Sequence, residues 1–173
     1  NIQPCYARRL DEVKMTEERK CLAVVRIRGM GESSPEIEKT LEILHLNRNC
    51  HITLVDNRPS FLGMLNKVRN FVTWGEITKE TTILLLEKRG KLVGNKKLND
   101  EYAQKIGYKT LEDLAEAISK LETGFQRLPD IKPVFRGHPP KKGYKGKIKK
   151  SYTAHGVTGY RGEAINKLIE KMI

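Results

Sequence analysis

The chain has 173 residues with 33 Lys and Arg against 21 Asp and Glu, a formal charge of +12, and its length suits one ordinary domain or a small core with an elaboration. Nine of the basic residues lie between Gly124 and Ser151 with Asp130 as the one acid, so 28 residues carry +8 and the other 145 only +4; that asymmetry suits a polyanion, which releases condensed counterions as each cation meets a phosphate, and makes nucleic acid the leading partner class ahead of an anionic membrane surface. No run approaches the roughly 18 apolar residues of a membrane span, residues 1 to 20 have no apolar stretch of the kind a secretory leader needs, and three cysteines without a CxxC spacing argue against a disulfide framework or zinc knuckle and for a reducing, cytoplasmic setting.

Residues 1 to 20 show no clear period and read as an extension or helical arm whose ordering depends on a partner. Leu22 to Arg28 (LAVVRIR) ends in alternation, with Val25 and Ile27 on one side and Arg26 and Arg28 on the other, which predicts a strand with one buried and one basic face. Ser34, Pro35 and Glu36 form a helix start, and Ile37, Leu41 and Leu44 carry the helix to about His45. Cys50 to Val55 is a second strand with Cys50, Ile52 and Leu54 inward and His51 and Thr53 outward. A turn at residues 56–59 leads to a second helix marked by Phe61, Leu65 and Val68, and Phe71 to Ile77 has the β-branched and aromatic content of a third strand. The resulting strand-helix-strand-helix-strand order fits either a parallel right-handed arrangement or a ferredoxin-like sheet with both helices on one face.

Thr78 to Arg89 is a further helix stopped by Gly90, residues 91–98 a basic turn, and residues 99–107 a short helix ended by Gly107. Thr110 to Asp113 opens another helix with Leu111, Leu114, Ile118 and Leu121 inward. Residues 128–154 hold four prolines and no apolar period, which predicts an extended loop shaped by outside contacts, and residues 124–158 are expected to be mobile without RNA. Ile165, Leu168, Ile169 and Met172 make one face of a C-terminal helix, with Asn166, Lys167, Glu170 and Lys171 on the other. A helix this short is unstable unless its stripe is buried, so it is expected to fold back on the core.

Catalytic patterns are sparse. The histidines at 45, 51, 138 and 155 have no HxH or HExxH spacing, Gly29 to Gly31 is too short for a dinucleotide fingerprint, and the phosphate-loop pattern GxxxxGK[ST] is missing. Asp56 and Glu76 make a carboxylate pair only if the second and third strands are neighbours. The basic loop is more specific: Arg136, Lys141, Lys142, Lys145, Lys147, Lys149 and Lys150 alternate with glycines that admit a phosphate closely, and Tyr144 offers a ring for stacking. Phe135, Tyr144, Ile148 and Tyr152 serve as anchors that a mere solubility tail would lack.

Residues 59–77 (PSFLGMLNKVRNFVTWGEI), preceded by VRIRG at 25–29 and followed by GYRGEAINKLIEKM at 159–172, resemble the ribosomal large-subunit protein thirty family in its longer archaeal form, whose eukaryotic counterpart is ribosomal protein L-seven. The resemblance spans about Cys21 to Ile173. It implies an α+β, ferredoxin-like core over residues 21–77 with a small antiparallel sheet and two helices on one face, an extension over 78–173 with helices and the basic loop 124–158, and residues 1–20 outside it. It also implies a structural, non-enzymatic role without cofactor or metal. The partners it implies are large-subunit (23S-type) rRNA near the 5S rRNA region and neighbouring large-subunit proteins. Carried over by position, the loop after Arg28, the turn holding Arg58, and Lys67 form the core's RNA side, and Lys141 to Lys150 with Arg161 form the tail's. Leu62 stands where the family often places an arginine, which leaves that helix start its backbone N–H groups. Two other classes compete: a small-molecule-sensing regulatory domain on the same core, which needs a ligand pocket at a domain interface, and an RNA-processing enzyme using Asp56 and Glu76.

Overall fold

The computed structural model describes residues 19–29, 31 and 34–173. Its central strand, β1 (Cys21–Arg26), is buried at all six positions. β2 (His51–Asp56) and β3 (Val72–Glu76) flank it, both antiparallel, with Val24 opposite Thr53 on one side and Trp74 on the other. The antiparallel ferredoxin-like arrangement therefore holds, and the parallel alternative falls. The sheet extends further, in the order β4-β2-β1-β3-β6-β5, with β4 (Phe135–Arg136), β5 (Lys147–Ser151) and β6 (Gly156–Tyr160) all supplied by the extension.

Two helix layers account for the double burial of β1. Helices α1 (Pro35–Ile43) and α2 (Pro59–Lys67) cover one face, where Leu22, Val24 and Trp74 meet Leu41, Leu65 and Val68. On the other face Ala23, Val25, Ile52 and Leu54 lie under a second cluster fed by α3 (Lys79–Arg89), α4 (Asp100–Ile106), α5 (Leu111–Ser119) and α6 (Ala164–Met172). Helix starts follow local chemistry. Pro35 opens α1 although the Ser34 side chain makes no capping bond, while the Thr78 and Thr110 hydroxyls accept from the N–H groups of Thr81 and Asp113. Gly107, at φ 99°, ends α4 in the left-handed region that glycine enters without steric cost.

Three sequence expectations are corrected here. Arg26 is not on a basic outer face: it is fully buried, its Nε donating to Arg28 O at 2.8 Å and its Nη1 to Leu46 O at 2.6 Å. Thr53, expected outward, is also fully buried and donates to Pro133 O at 3.0 Å. Residues 128–154 are not a loop without internal support. They contribute β4 and β5, and Phe125, Leu128, Ile131 and Phe135 anchor the preceding stretch in the core, the two phenylalanine rings stacked at 4.7 Å. These anchors sit at irregular spacings on backbone that is short 3-10 turn, loop or two-residue strand, and the strand partner of Phe135 is far away in sequence, so periodicity does not reveal them. The arm expected over residues 1–20 lies almost wholly outside the described residues; within them Lys20 Nζ pairs with Glu76 at 3.3 Å.

The two motif segments pack against each other. Thr73 and Trp74 pair in parallel with Gly159 and Tyr160, and Arg161 N–H donates to Trp74 O at 2.9 Å. A Cβ on Gly75 would lie 2.0 Å from Gly162 O, so the turn into α6 closes directly onto the β3 backbone. Asn166, expected on the polar face of α6, is buried: its Oδ1 accepts from Thr78 N–H at 3.1 Å and its Nδ2 donates to Glu76 O at 3.1 Å and Glu163 O at 2.9 Å. The apolar stripe of α6 is buried as expected, with Ile165, Ile169 and Met172 at 0 % exposure.

Because Trp74 is 7 % exposed and packed beneath α1 and α2, Trp74→Ala is expected to cost about 3 to 5 kcal/mol in urea unfolding. Gly75→Ala forces backbone apart at the same strand and is expected to lower the unfolding free energy by about 1 to 3 kcal/mol. An unchanged unfolding midpoint for Gly75→Ala would mean that β3 and the α6 turn are not in contact.

Candidate nucleic-acid interface

Between β4 at one edge of the sheet and β5 at the other, the chain crosses the sheet end where β2 begins. Three backbone bonds hold it there: Gly137 N–H donates to Cys50 O at 3.0 Å, His138 N–H to Met172 O at 2.9 Å and Lys141 N–H to Lys171 O at 3.0 Å. The last two use carbonyls of the final turn of α6, which have no partner within the helix. A tight turn follows, closed by Gly143 N–H to Pro140 O at 2.9 Å with Lys142 at φ 67°. This strap presents Lys141, Lys142, Lys145, Lys147, Lys149 and Lys150 as exposed side chains, and all five residues of β5 are exposed. β5 lies parallel to β6 with an irregular register, Lys147 opposite Gly156.

Further positive charge collects at this end. Arg136 is exposed opposite His51 in the β4–β2 pairing, and exposed Arg48 precedes β2. Burial, followed by the charges of Arg136, Arg48 and Arg26, holds the His51 imidazole below its ordinary range, which keeps it neutral at neutral pH. Arg48 and His51 were not read from the sequence as interface residues. The signal available was the outward position of His51 in CHITLV beside a turn arginine.

At the opposite end of the sheet the acids are paired with cations. Asp56 and Glu76 flank the first residues of β1, opposite Cys21 and Leu22, and pair with Arg58 at 2.5 Å and Lys20 at 3.3 Å. Since β1 runs between them, the adjacency that a catalytic carboxylate pair requires is missing. Arg58 stands at this end and does not join the strap, and Lys67 is paired with Glu36 at 3.1 Å. A groove of about 590 Å³ opens here, with Arg19, Asp56, Arg58, Phe61, Phe125 and Glu122 in its wall.

The arginines at the strap end divide by role. Arg26 is the buried floor: its Nη2 has no partner, and burial lowers its pKa against an opposing effect of Glu38. It cannot reach a surface ligand from there, which corrects its assignment as an RNA contact. Arg28 is partly exposed with its guanidinium 5.0 Å over the Phe71 ring. Arg161 is spent on scaffolding, donating from Nε to Thr73 Oγ1 at 3.1 Å and from Nη2 to Val157 O at 2.8 Å, and lying 4.8 Å over the Tyr152 ring. Tyr144 is half-buried: its ring packs against the extension-side core and its hydroxyl is buried beside Cys50, so burial and that thiol raise its pKa. It anchors the strap with its hydroxyl turned inward. Cys21 and Cys50 are both buried, and burial followed by Asp56 pushes the Cys21 thiol up to about 12, the property of a packing residue.

Among the described residues no group of three His, Cys, Asp or Glu side chains is placed to hold a metal ion, and no helix is long and apolar enough to cross a membrane. The site's chemistry is therefore that of a cationic surface with a fixed backbone, suited to phosphates held at a defined spacing.

Comparison with known proteins agrees with this geometry. A family model described as ribosomal protein L30p/L7e matches residues 22–72, from β1 to the start of β3. The large ribosomal subunit protein uL30 of Thermofilum pendens is 46% identical over 151 residues, 87% of this chain and 97% of that protein. The uL30 of Archaeoglobus fulgidus is 47% identical over 151 residues, 87% of this chain and 98% of its own, and that of Methanopyrus kandleri 46% identical over 149 residues, 85% of this chain and its own entire length. With nearly half of all aligned positions identical across both the core and its extension, the chain belongs to the ribosomal protein L30p/L7e family.

Proposed function

We propose that the chain is a structural, non-catalytic constituent of the large ribosomal subunit in the cytoplasm, and that it binds and stabilises large-subunit rRNA in the 5S rRNA region beside neighbouring ribosomal proteins. The observation that carries this reading is the strap: six exposed lysines on backbone fixed to β2, α6 and β6, on a chain of net charge +12. A fixed set of cations reads phosphate spacing and helix shape, which is what A-form RNA offers, since its deep groove keeps base edges from side chains. In this reading residues 21–77 are the core that the strap and the helices of residues 78–173 complete. Arg28, Arg136 and the strap lysines make the phosphate contacts, with Arg48 added to them, and Arg58 and Lys67 serve a separate face once their weak exposed ion pairs are exchanged for phosphate.

Filter binding of the full chain to deproteinised large-subunit rRNA at several salt concentrations tests this. With about six phosphates neutralised, log K is expected to fall against log salt with a slope of about −4 to −5, and a slope near zero would refute the electrostatic reading. Leu168→Asp leaves every basic residue in place but puts a carboxylate where Leu168 is 7 % exposed, so α6 should undock and release the carbonyls that hold His138 and Lys141. Lower thermal stability together with weaker rRNA binding is expected. Parent-like melting and binding would show that strap and helix are independent.

A further inference from the structure

Tyr152 is the residue at the strap end whose exposure the phosphate reading leaves unexplained. It opens the short 3-10 turn Tyr152–Ala154 between β5 and β6 and is 41 % exposed, in a stretch where Lys147, Lys149, Lys150 and Thr153 are exposed too. Its ring is not loose. The Arg161 guanidinium lies 4.8 Å from its centroid, and that guanidinium is itself held by Thr73 Oγ1 at 3.1 Å and Val157 O at 2.8 Å. Arg161 thus loses solvation and most of its hydrogen-bonding freedom to close one face of an otherwise exposed ring. Burial lowers its pKa accordingly. With the guanidinium over the ring, 41 % of the residue stays exposed.

An exposed aromatic ring backed by a guanidinium and following a lysine-rich strand has the chemistry of a nucleobase platform: the ring stacks on a base while neighbouring cations hold the phosphates on either side. Bases inside an A-form helix are already stacked on each other and offer no face, so the ligand of such a platform is an unpaired nucleotide. Tyr144, read from the sequence as the stacking residue, is half-buried with its hydroxyl turned inward, and Tyr152 is the more open ring beside the strap lysines. We propose that Tyr152, with Arg161 as its positioning residue, stacks on a bulged or looped nucleobase of RNA. The site then selects an unpaired nucleotide in addition to phosphate spacing. This rests on the RNA-binding reading above.

The test uses the full chain and two hairpin RNAs of the same length, one with a single bulged 2-aminopurine and one with that base paired inside the stem. The parent protein is expected to bind the bulged hairpin on the order of tenfold more tightly and to quench its fluorescence. Tyr152→Phe should keep both properties. Tyr152→Ala and Tyr152→Leu should lose the preference and the quenching while keeping the parent slope of log K against log salt, because no cation is removed. If the parent binds both hairpins with equal affinity, or if Tyr152→Leu retains the preference and the quenching, the platform is wrong while the RNA-binding reading stands. If the parent binds neither hairpin at low salt, both fail. Binding of a protein strand to the β5 edge that Tyr152→Ala abolishes, with RNA affinity untouched, also overturns the proposal.

Discussion

Burial of β1 on both faces is the constraint from which the rest of this molecule follows. A three-stranded antiparallel sheet with α1 and α2 on one side leaves Ala23, Val25, Ile52 and Leu54 facing outward, and all four are apolar. Such a patch is costly in water and invites association, so it has to be covered. The extension does this with helices, and it is joined to the sheet by the contact between β3 and the turn into α6. At that contact Gly75 gives up its side chain to admit Gly162, and Asn166 satisfies backbone groups at Glu76 and Thr78. Removing a hydrogen-bonded side chain from so buried a place strands the groups it served. The extension is therefore the second half of the core, and the basic strap is hung from it.

The two ends of the sheet also differ in charge balance. Asp56 and Glu76 stand where β1 begins, each engaged by a neighbouring cation. Where β1 ends lie Arg26, Arg28, Arg48, His51 and Arg136, followed by the strap lysines. A net positive charge spread evenly attracts a polyanion in any orientation, whereas a surplus of cations at one end favours approach by that end. The two ends arise simply, from which residues terminate and which initiate three antiparallel strands.

Much of this was legible in the sequence, and the failures have one cause. Elements whose pattern is local were readable: the α6 stripe, the Pro35 and Thr110 helix starts, the third strand with Trp74 inside, and the motif pair that carried the family resemblance. What escaped depends on partners distant along the chain. Arg26 sits in perfect alternation with Ile27, and nothing near it tells that a Leu46 carbonyl waits to accept from it. Thr53 is buried by a segment eighty residues on. β4, β5 and β6 are short and acquire strand geometry only by adding to edges that the core provides, so neither period nor propensity marks them. Tyr144 and Tyr152 looked alike as aromatic residues in a basic loop, and only the fold separates the half-buried ring from the exposed one.

The same separation runs through the cations and explains why the two kinds are not interchangeable here. The guanidinium groups of Arg26 and Arg161 are consumed by carbonyl and hydroxyl acceptors inside the structure, work that needs several donors in a fixed planar array and a group that stays charged when desolvated. On the strap six lysines face solvent instead, each a hydrated point charge on a flexible stem that can follow phosphates without demanding one geometry. The strap backbone from which these lysines project is held by main-chain bonds to Cys50, Met172 and Lys171, while Arg161 ties β3 to β6 beside it. A lysine in place of Arg161 would keep the charge and lose the fork that joins β3, β6 and the Tyr152 ring. Charge alone would survive that loss of order between β3 and β6, and on a polyanion of regular structure it is the spacing of cations that distinguishes a specific surface from a merely basic one.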